Sequence, residues 1–276
     1  MPNGALSDAA PPVRPADLKW AGAWLARHGL GDTPPTPLLA ARLAVRRRAR
    51  LADHLLLAGL IIAAALTQAY DRLAASGRWF EPNRPAPLLV LTGLVGVLLL
   101  VQASLAWWVR RVDRRAGATL SRRAAHPVQP GWRAVLGRPH AAFTAVTFTA
   151  AILLAASALT VRDSTVRYAA MILLIGLIGV AAGVALQLRD LLARPVVAED
   201  EVSLTADVIM RVEDARELTA PGVPWALPVV LIFGTAPVWW NAASIALVFL
   251  GLVALHLIQA RTPPSVTMAR RAMSAP

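Results

Sequence analysis

Cysteine is absent from the 276 residues, which excludes disulfides, thiolate metal sites and cysteine nucleophiles. Lysine is nearly absent: Lys19 is the single lysine among 28 basic residues. That usage, beside abundant alanine, points to a GC-rich bacterial source. Charge as a whole is scarce, 16% of residues against about a quarter in soluble chains. Residues 1–36 hold no apolar signal-peptide core, so the first apolar run is expected to act as the insertion signal. No acidic or basic side chain lies in the middle of any long apolar run. Ion-coupled transporters and intramembrane proteases rely on such groups, so neither class is expected. Phosphate-binding loops, zinc-protease, hydrolase and dinucleotide motifs are also missing. No enzyme activity, catalytic residue, metal or cofactor is expected.

What is present is apolar length. Hydrophobic residues make up 57% of the chain, in uncharged stretches of about 20, enough to cross ~30 Å of hydrocarbon. The expected fold class is all-α, a polytopic helical membrane bundle of six transmembrane spans, with five as the alternative. The spans are placed at about 51–70, 87–109, 141–161, 168–188, 223–236 and 239–261. Thr36 and Pro37 suit the cap and first position of a helix that begins well before the first span. Residues 225–261 are too long for one span, at ~55 Å as a single helix. Gly234, Pro237 and Asn241 argue for a hairpin there, with Trp225 and the Trp239/Trp240 pair at opposite interfaces. The fifth span is short and must thin the bilayer or be buried by its neighbours.

Arginines orient the bundle. Five stand at 42–50 (Arg42, Arg46, Arg47, Arg48, Arg50), and eight stand at 110–140 against the single acid Asp113. Positive residues stay cytoplasmic, so both segments are expected inside, and Arg261, Arg270 and Arg271 place the C-terminus there as well. The resulting localisation is a multi-pass protein of the cell membrane with both termini cytoplasmic. Residues 1–36 form a cytoplasmic segment, 37–261 the bundle, and 262–276 a cytoplasmic disordered tail. Trp107 and Trp108 set the arginines of 110–123 beside lipid headgroups, so nucleic acid is not an expected partner and the bilayer is.

Two amphipathic stretches interrupt this pattern. Residues 17–28 collect Leu18, Trp20, Ala21, Trp24 and Leu25 on one arc, read as an interfacial helix ending at Gly29. Residues 199–219 are acidic and carry the stripe Leu204, Val208, Val212, Ala215 and Leu218, with Asp207 and Arg211 as an i,i+4 pair. An acidic helix is repelled by anionic lipid. The stripe is therefore expected either to dock on the basic 110–140 loop of its own chain or to bind a protein partner, with Glu213 exposed on the opposite face.

The remaining candidates are weak. Gly176, Gly179 and Gly183 are small residues at which another helix can approach closely. Hydroxyls within spans are expected to bond carbonyls one turn earlier. His256 is read as an interhelical or interfacial imidazole, while His54 and His140 make at most a poor two-ligand set.

Two functional classes fit. The first is a non-catalytic membrane protein acting by association with other proteins. The second follows from architecture: six spans, both ends cytoplasmic, an interfacial helix before the first span and a sizeable first cytoplasmic loop. This arrangement resembles the ABC-2 type permeases. The resemblance implies an exporter subunit working with a separate ATPase and carries no functional residue with it.

Overall fold

The computed structural model describes residues 14–76, 86–118, 131–194, 201–232 and 237–274. Among these there is no β-strand. The helices are α1 (Pro15–Arg27), α2 (Pro37–Ser76), α3 (Ala86–Ala118), α4 (Trp132–Val135), α5 (Arg138–Ser157), α6 (Ser164–Ala193), α7 (Glu201–Leu218), α8 (Gly222–Ile232), α9 (Val238–Arg261) and α10 (Ser265–Ser274). A 3₁₀ turn, Ala158–Thr160, follows α5.

Among the described residues, four helices are long and apolar enough to cross a membrane: Leu89–Arg115, Arg138–Thr160, Ser164–Ala193 and Val238–Arg261. They coincide with the second, third, fourth and sixth spans read from the sequence. The first span falls in the later half of α2. Of the fifth, residues 223–232 lie in the short helix α8, and 233–236 lie outside the described residues. α8 packs against α2, α5, α6 and α9, and Val223, Ala226 and Leu227 are buried there.

The bundle core joins Leu60 of α2, Val95 and Leu98 of α3, Phe148 of α5, Leu173 and Leu177 of α6, Leu227 of α8 and Trp240 of α9. Outward, Leu100, Val146, Ile175 and Leu250 are exposed. An apolar core inside an apolar exterior is the pattern of a bundle solvated by hydrocarbon.

At one end of the bundle the chain builds a cap from α1, the first turns of α2, α4, α7 and α10. It has cores of its own: Trp24, Leu43, Ile209 and Met210 in one, Val135, Leu191, Val212 and Met268 in the other. Local chemistry sets its boundaries. Thr36 Oγ1 accepts from the Leu39 amide at 3.2 Å and caps α2. α1 ends at Gly29, φ +68°, with Leu30 N–H donating to Leu25 O and Gly29 N–H to Ala26 O, the paired closure that favours glycine. Gly137, φ +78°, turns the chain from α4 into α5.

Three expectations are corrected here. α1 does not present both tryptophans to an interface; Ala21, Trp24 and Leu25 are buried with residues of α2, α7 and α10, which offer an apolar surface on the same side, while Trp20 is half-buried beside Arg47. Residues 262–276 are not a disordered tail: α10 occupies most of them and buries Met268 and Ala269. Trp240 does not mark an interface beside exposed Trp239. It is fully buried and donates from Nε1 to Leu154 O at 3.0 Å, a partner that makes burial of the indole affordable.

Candidate functional site

The most chemically loaded region lies where the cap meets the bundle. α2 enters it with Arg42 and Arg46, one turn apart and both buried. α3 supplies Asp113, α6 ends at Arg194, and α7 contributes Asp207, Arg211 and Asp214. Asp113 accepts from Arg42 Nε at 3.1 Å, from Arg46 Nη1 at 3.1 Å and Nη2 at 2.9 Å, and from Arg194 Nη1. Arg42 Nη2 donates to Asp207 Oδ1 at 2.5 Å, and Arg211 Nε to Asp207 Oδ2 at 2.9 Å. Arg46 Nε donates to Asp214 Oδ2 at 2.8 Å. Four guanidinium groups thus meet three carboxylates and retain a net positive charge.

This network ties four segments into one body. Burial opposes the Arg46 charge, yet the facing Asp214 and Asp113 outweigh it and hold the guanidinium above its ordinary value. Buried ion pairs add little net stability compared with apolar packing, but losing one partner leaves a stranded charge. The network therefore fixes how α7 seats on α2 and α3. Farther out, Glu213 accepts from His28 Nε2 at 3.1 Å and from Trp24 Nε1 at 3.4 Å, joining α1 to α7. Glu213 was expected on an exposed face; it is half-buried because α1 folds over it.

The stripe of α7 is used within the chain. Val208, Val212 and Ala215 are fully buried, while Leu204 and Leu218 are half-buried. Part of what covers it comes from the 110–140 segment, through Val135 and Leu136. The Asp207–Arg211 pair forms as its spacing predicts.

Below the network a cavity of about 500 Å³ opens among α2, α3, α6, α7 and α8. Its cap-side lining is charged, with Arg50, Asp53, Arg110 and Glu217; its deeper lining is apolar, with Leu99 and Val180. Gln102 Nε2 reaches Asp53 Oδ1 at 3.4 Å across it, and Gln187 also faces it.

The three glycines of α6 divide between packing and this cavity. A Cβ on Gly176 would stand 2.9 Å from Val95 Cγ1, and one on Gly179 would stand 3.1 Å from Leu99 Cδ2. Both positions let α3 approach. Gly183 would meet only Gln187 Nε2, at 4.0 Å, and lines the cavity.

The histidines are not brought together. His54 is exposed near Glu217, 3.8 Å away, whereas His140 is buried against Thr219 Oγ1 at 3.1 Å and lines a different cavity. His256 is exposed on α9. No group of three or more metal-ligating side chains occurs among the described residues. Ser104 and Thr144 return their hydroxyls to the carbonyls of Leu100 and His140.

Sequence reasoning treated the arginines as orientation signals and missed their partners. The signal was present in part: Arg42 and Arg46, and Asp207, Arg211 and Asp214, repeat at helical spacing along one face each. Comparison with protein-family models, curated proteins and solved structures finds no significant match to this chain.

Proposed function

We propose that the chain is a six-span protein of the cell membrane with both termini cytoplasmic, without catalytic chemistry of its own, acting by association with other proteins. The observation that carries this reading is the cap. Its buried acids face arginines, as Asp113, Asp207 and Asp214 do, while Arg27, Arg47 and Arg270 are exposed and Arg48 is exposed beside Asp17. A pre-formed basic platform loses little freedom on binding and steers an acidic partner toward it. The orientation is supported by the meeting of Arg42 and Arg46 with the Arg110–Arg115 end of α3 at one end of the bundle. The count of six adds α2 and α8 to the four apolar helices.

The test places a photoreactive amino acid at position 48 or 270, with position 250 on the apolar exterior as control. Illumination in native membranes should give a discrete protein adduct from the two cap positions and none from 250. Adducts with lipid alone at all three positions would overturn the reading.

The permease reading is favoured by one observation, the cavity of about 500 Å³ with charged and apolar ends among α2, α3 and α6. Purification from the native host in mild detergent separates the two. A stoichiometric nucleotide-hydrolysing subunit supports the exporter; a different partner without it supports association.

A further inference from the structure

The cavity among α2, α3, α6, α7 and α8 is charged at its cap end, and the pairing of those charges is uneven. Among the described residues four arginines line it, and each already faces a carboxylate. Arg46 meets Asp113 and Asp214, Arg194 meets Asp113, Arg50 lies 3.5 Å from Asp214, and Arg110 lies 2.5 Å from Asp190. The lining acids are not all matched in return. Glu217 of α7 is paired, among the described residues, with the exposed imidazole of His54 alone, at 3.8 Å. Asp53 of α2 forms no ion pair among them. It is half-buried and accepts one hydrogen bond, from Gln102 Nε2 at 3.4 Å, a length at the weak end for such a bond.

Toward the middle of the bundle the wall changes character, to Leu57, Leu99, Phe148, Val180 and Val184. Along α6 the lining runs from Arg194 back to Gly179, about 22 Å at the helical rise per residue. Gly183 keeps that wall open, since a Cβ there would meet only Gln187 Nε2, at 4.0 Å. The volume of about 500 Å³ is that of an ordinary small-ligand site, ~300–1,000 Å³. The space is therefore long, apolar at its deep end, and bounded at the other by two carboxylates that no arginine neutralises. A carboxylate partly withdrawn from water attracts an opposite charge more strongly than one in bulk solvent.

We propose that this cavity binds a cationic amphiphile, an apolar chain ending in an ammonium group. The ammonium sits at Asp53 and Glu217, with Gln102 and Gln187 as uncharged polar neighbours, and the chain lies along Leu99, Val180 and Val184. An anionic head at the same place would meet arginines that already hold carboxylates and would bring a like charge to Asp53. The inference goes beyond the association reading, since it requires no protein partner. It names a ligand for the cavity that favours the permease reading without resting on that reading, because binding is measured with no ATPase present.

The experiment uses the full chain in a neutral maltoside detergent and three alkyl diazirine probes of equal length, ending in an amine, an alcohol or a carboxylate. After illumination, adducts are mapped by mass spectrometry. The amine should label the α3 and α6 segments around Leu99 and Val180 saturably, about fivefold or more above the other two, a factor that even an exposed ion pair can reach. Asp53→Asn should bring the amine down to the alcohol, and Glu217→Gln should lower it less. Asp32→Asn, an exposed acid outside the cavity, should change nothing. Gly183→Leu should exclude all three probes. Folding is not at stake, because Asn keeps the shape of Asp53 and leucine favours helix over glycine. Loss of the amine adduct on adding phosphatidylethanolamine supports the site with a lipid amine as its source, and persistence supports it with a free amine. Equal labelling by amine and alcohol would mean that the space takes apolar chains alone and would overturn the proposal. So would a preference for the carboxylate, or wild-type labelling in Asp53→Asn or Gly183→Leu.

Discussion

Arg46 grips Asp113 with both terminal nitrogens, at 3.1 Å and 2.9 Å, with each side chain nearly fully buried, and so binds α2 to α3 across 67 residues of sequence. Asp113 also receives Arg42 and Arg194, so its carboxylate balances several cations at once. Asp113→Asn should therefore destabilise the protein by about 3–5 kcal/mol, the cost of stranding buried charge. Thermal unfolding in detergent measures it. Arg46→Lys should also destabilise, because an ammonium cannot reproduce the planar fork. Unchanged melting in both variants would show that the network contributes nothing to seating α7.

The fully buried valines of α7 give a second test. Val208→Asp or Val212→Asp places a carboxylate inside a cap core, and burying it unpaired costs several kcal/mol, so α7 should undock instead. Trypsin cleavage after Arg211 and Arg216 should accelerate in both variants. Glu213→Gln keeps the shape and loses charge at His28 and Trp24; a charge-assisted hydrogen bond is worth ~1.5–3 kcal/mol, so a smaller acceleration is expected. Equal cleavage in wild type and all variants would contradict the docking.

Within α6, neighbouring glycines should respond oppositely to the same change. Gly176→Ala drives a methyl to within 2.9 Å of Val95 and should destabilise by about 1–3 kcal/mol. Gly183→Ala enters open space and should be neutral or stabilising by up to ~1 kcal/mol through helix propensity. A paired unfolding measurement decides, and equal effects would refute the division of roles.

Gly251 of α9 is the seat of Trp225. A Cβ there would come within 2.6 Å of the indole. Gly251→Leu should expel the ring and cost about 1–3 kcal/mol or more. Loss of a blue-shifted fluorescence component, tested against a Trp225→Phe variant, reports the expulsion; an unaltered spectrum would show that the contact is not tight.

Because the chain has no cysteine, single introduced thiols report topology directly. Ser164→Cys should react with an impermeant maleimide in intact cells, and Ser274→Cys should not. External labelling at 274 would reduce the span count from six to five.

What the sequence determined by itself was local. The Thr36 cap, the Gly29 termination, the Asp207–Arg211 pair and four apolar membrane-length helices all follow from spacings within a few residues and from run length, where the 3.6-residue period and bilayer thickness act without knowledge of neighbours. Gly176 and Gly179 were recognisable as approach points, but not their partners Val95 and Leu99. Helix α10 carried a readable stripe, Val266, Ala269 and Met273, which its short length and its position beyond the last span concealed. Only the tertiary structure decided that Asp113 gathers Arg42, Arg46 and Arg194, that Glu213 turns under α1, that Trp240 faces inward to Leu154, and that Asp53, Gln102 and Glu217 line one cavity. Those groups are brought together from segments up to 189 residues apart, as in Trp24 and Glu213. Charge pairing and close packing have no sequence period to announce them; they exist only after several helices share one space.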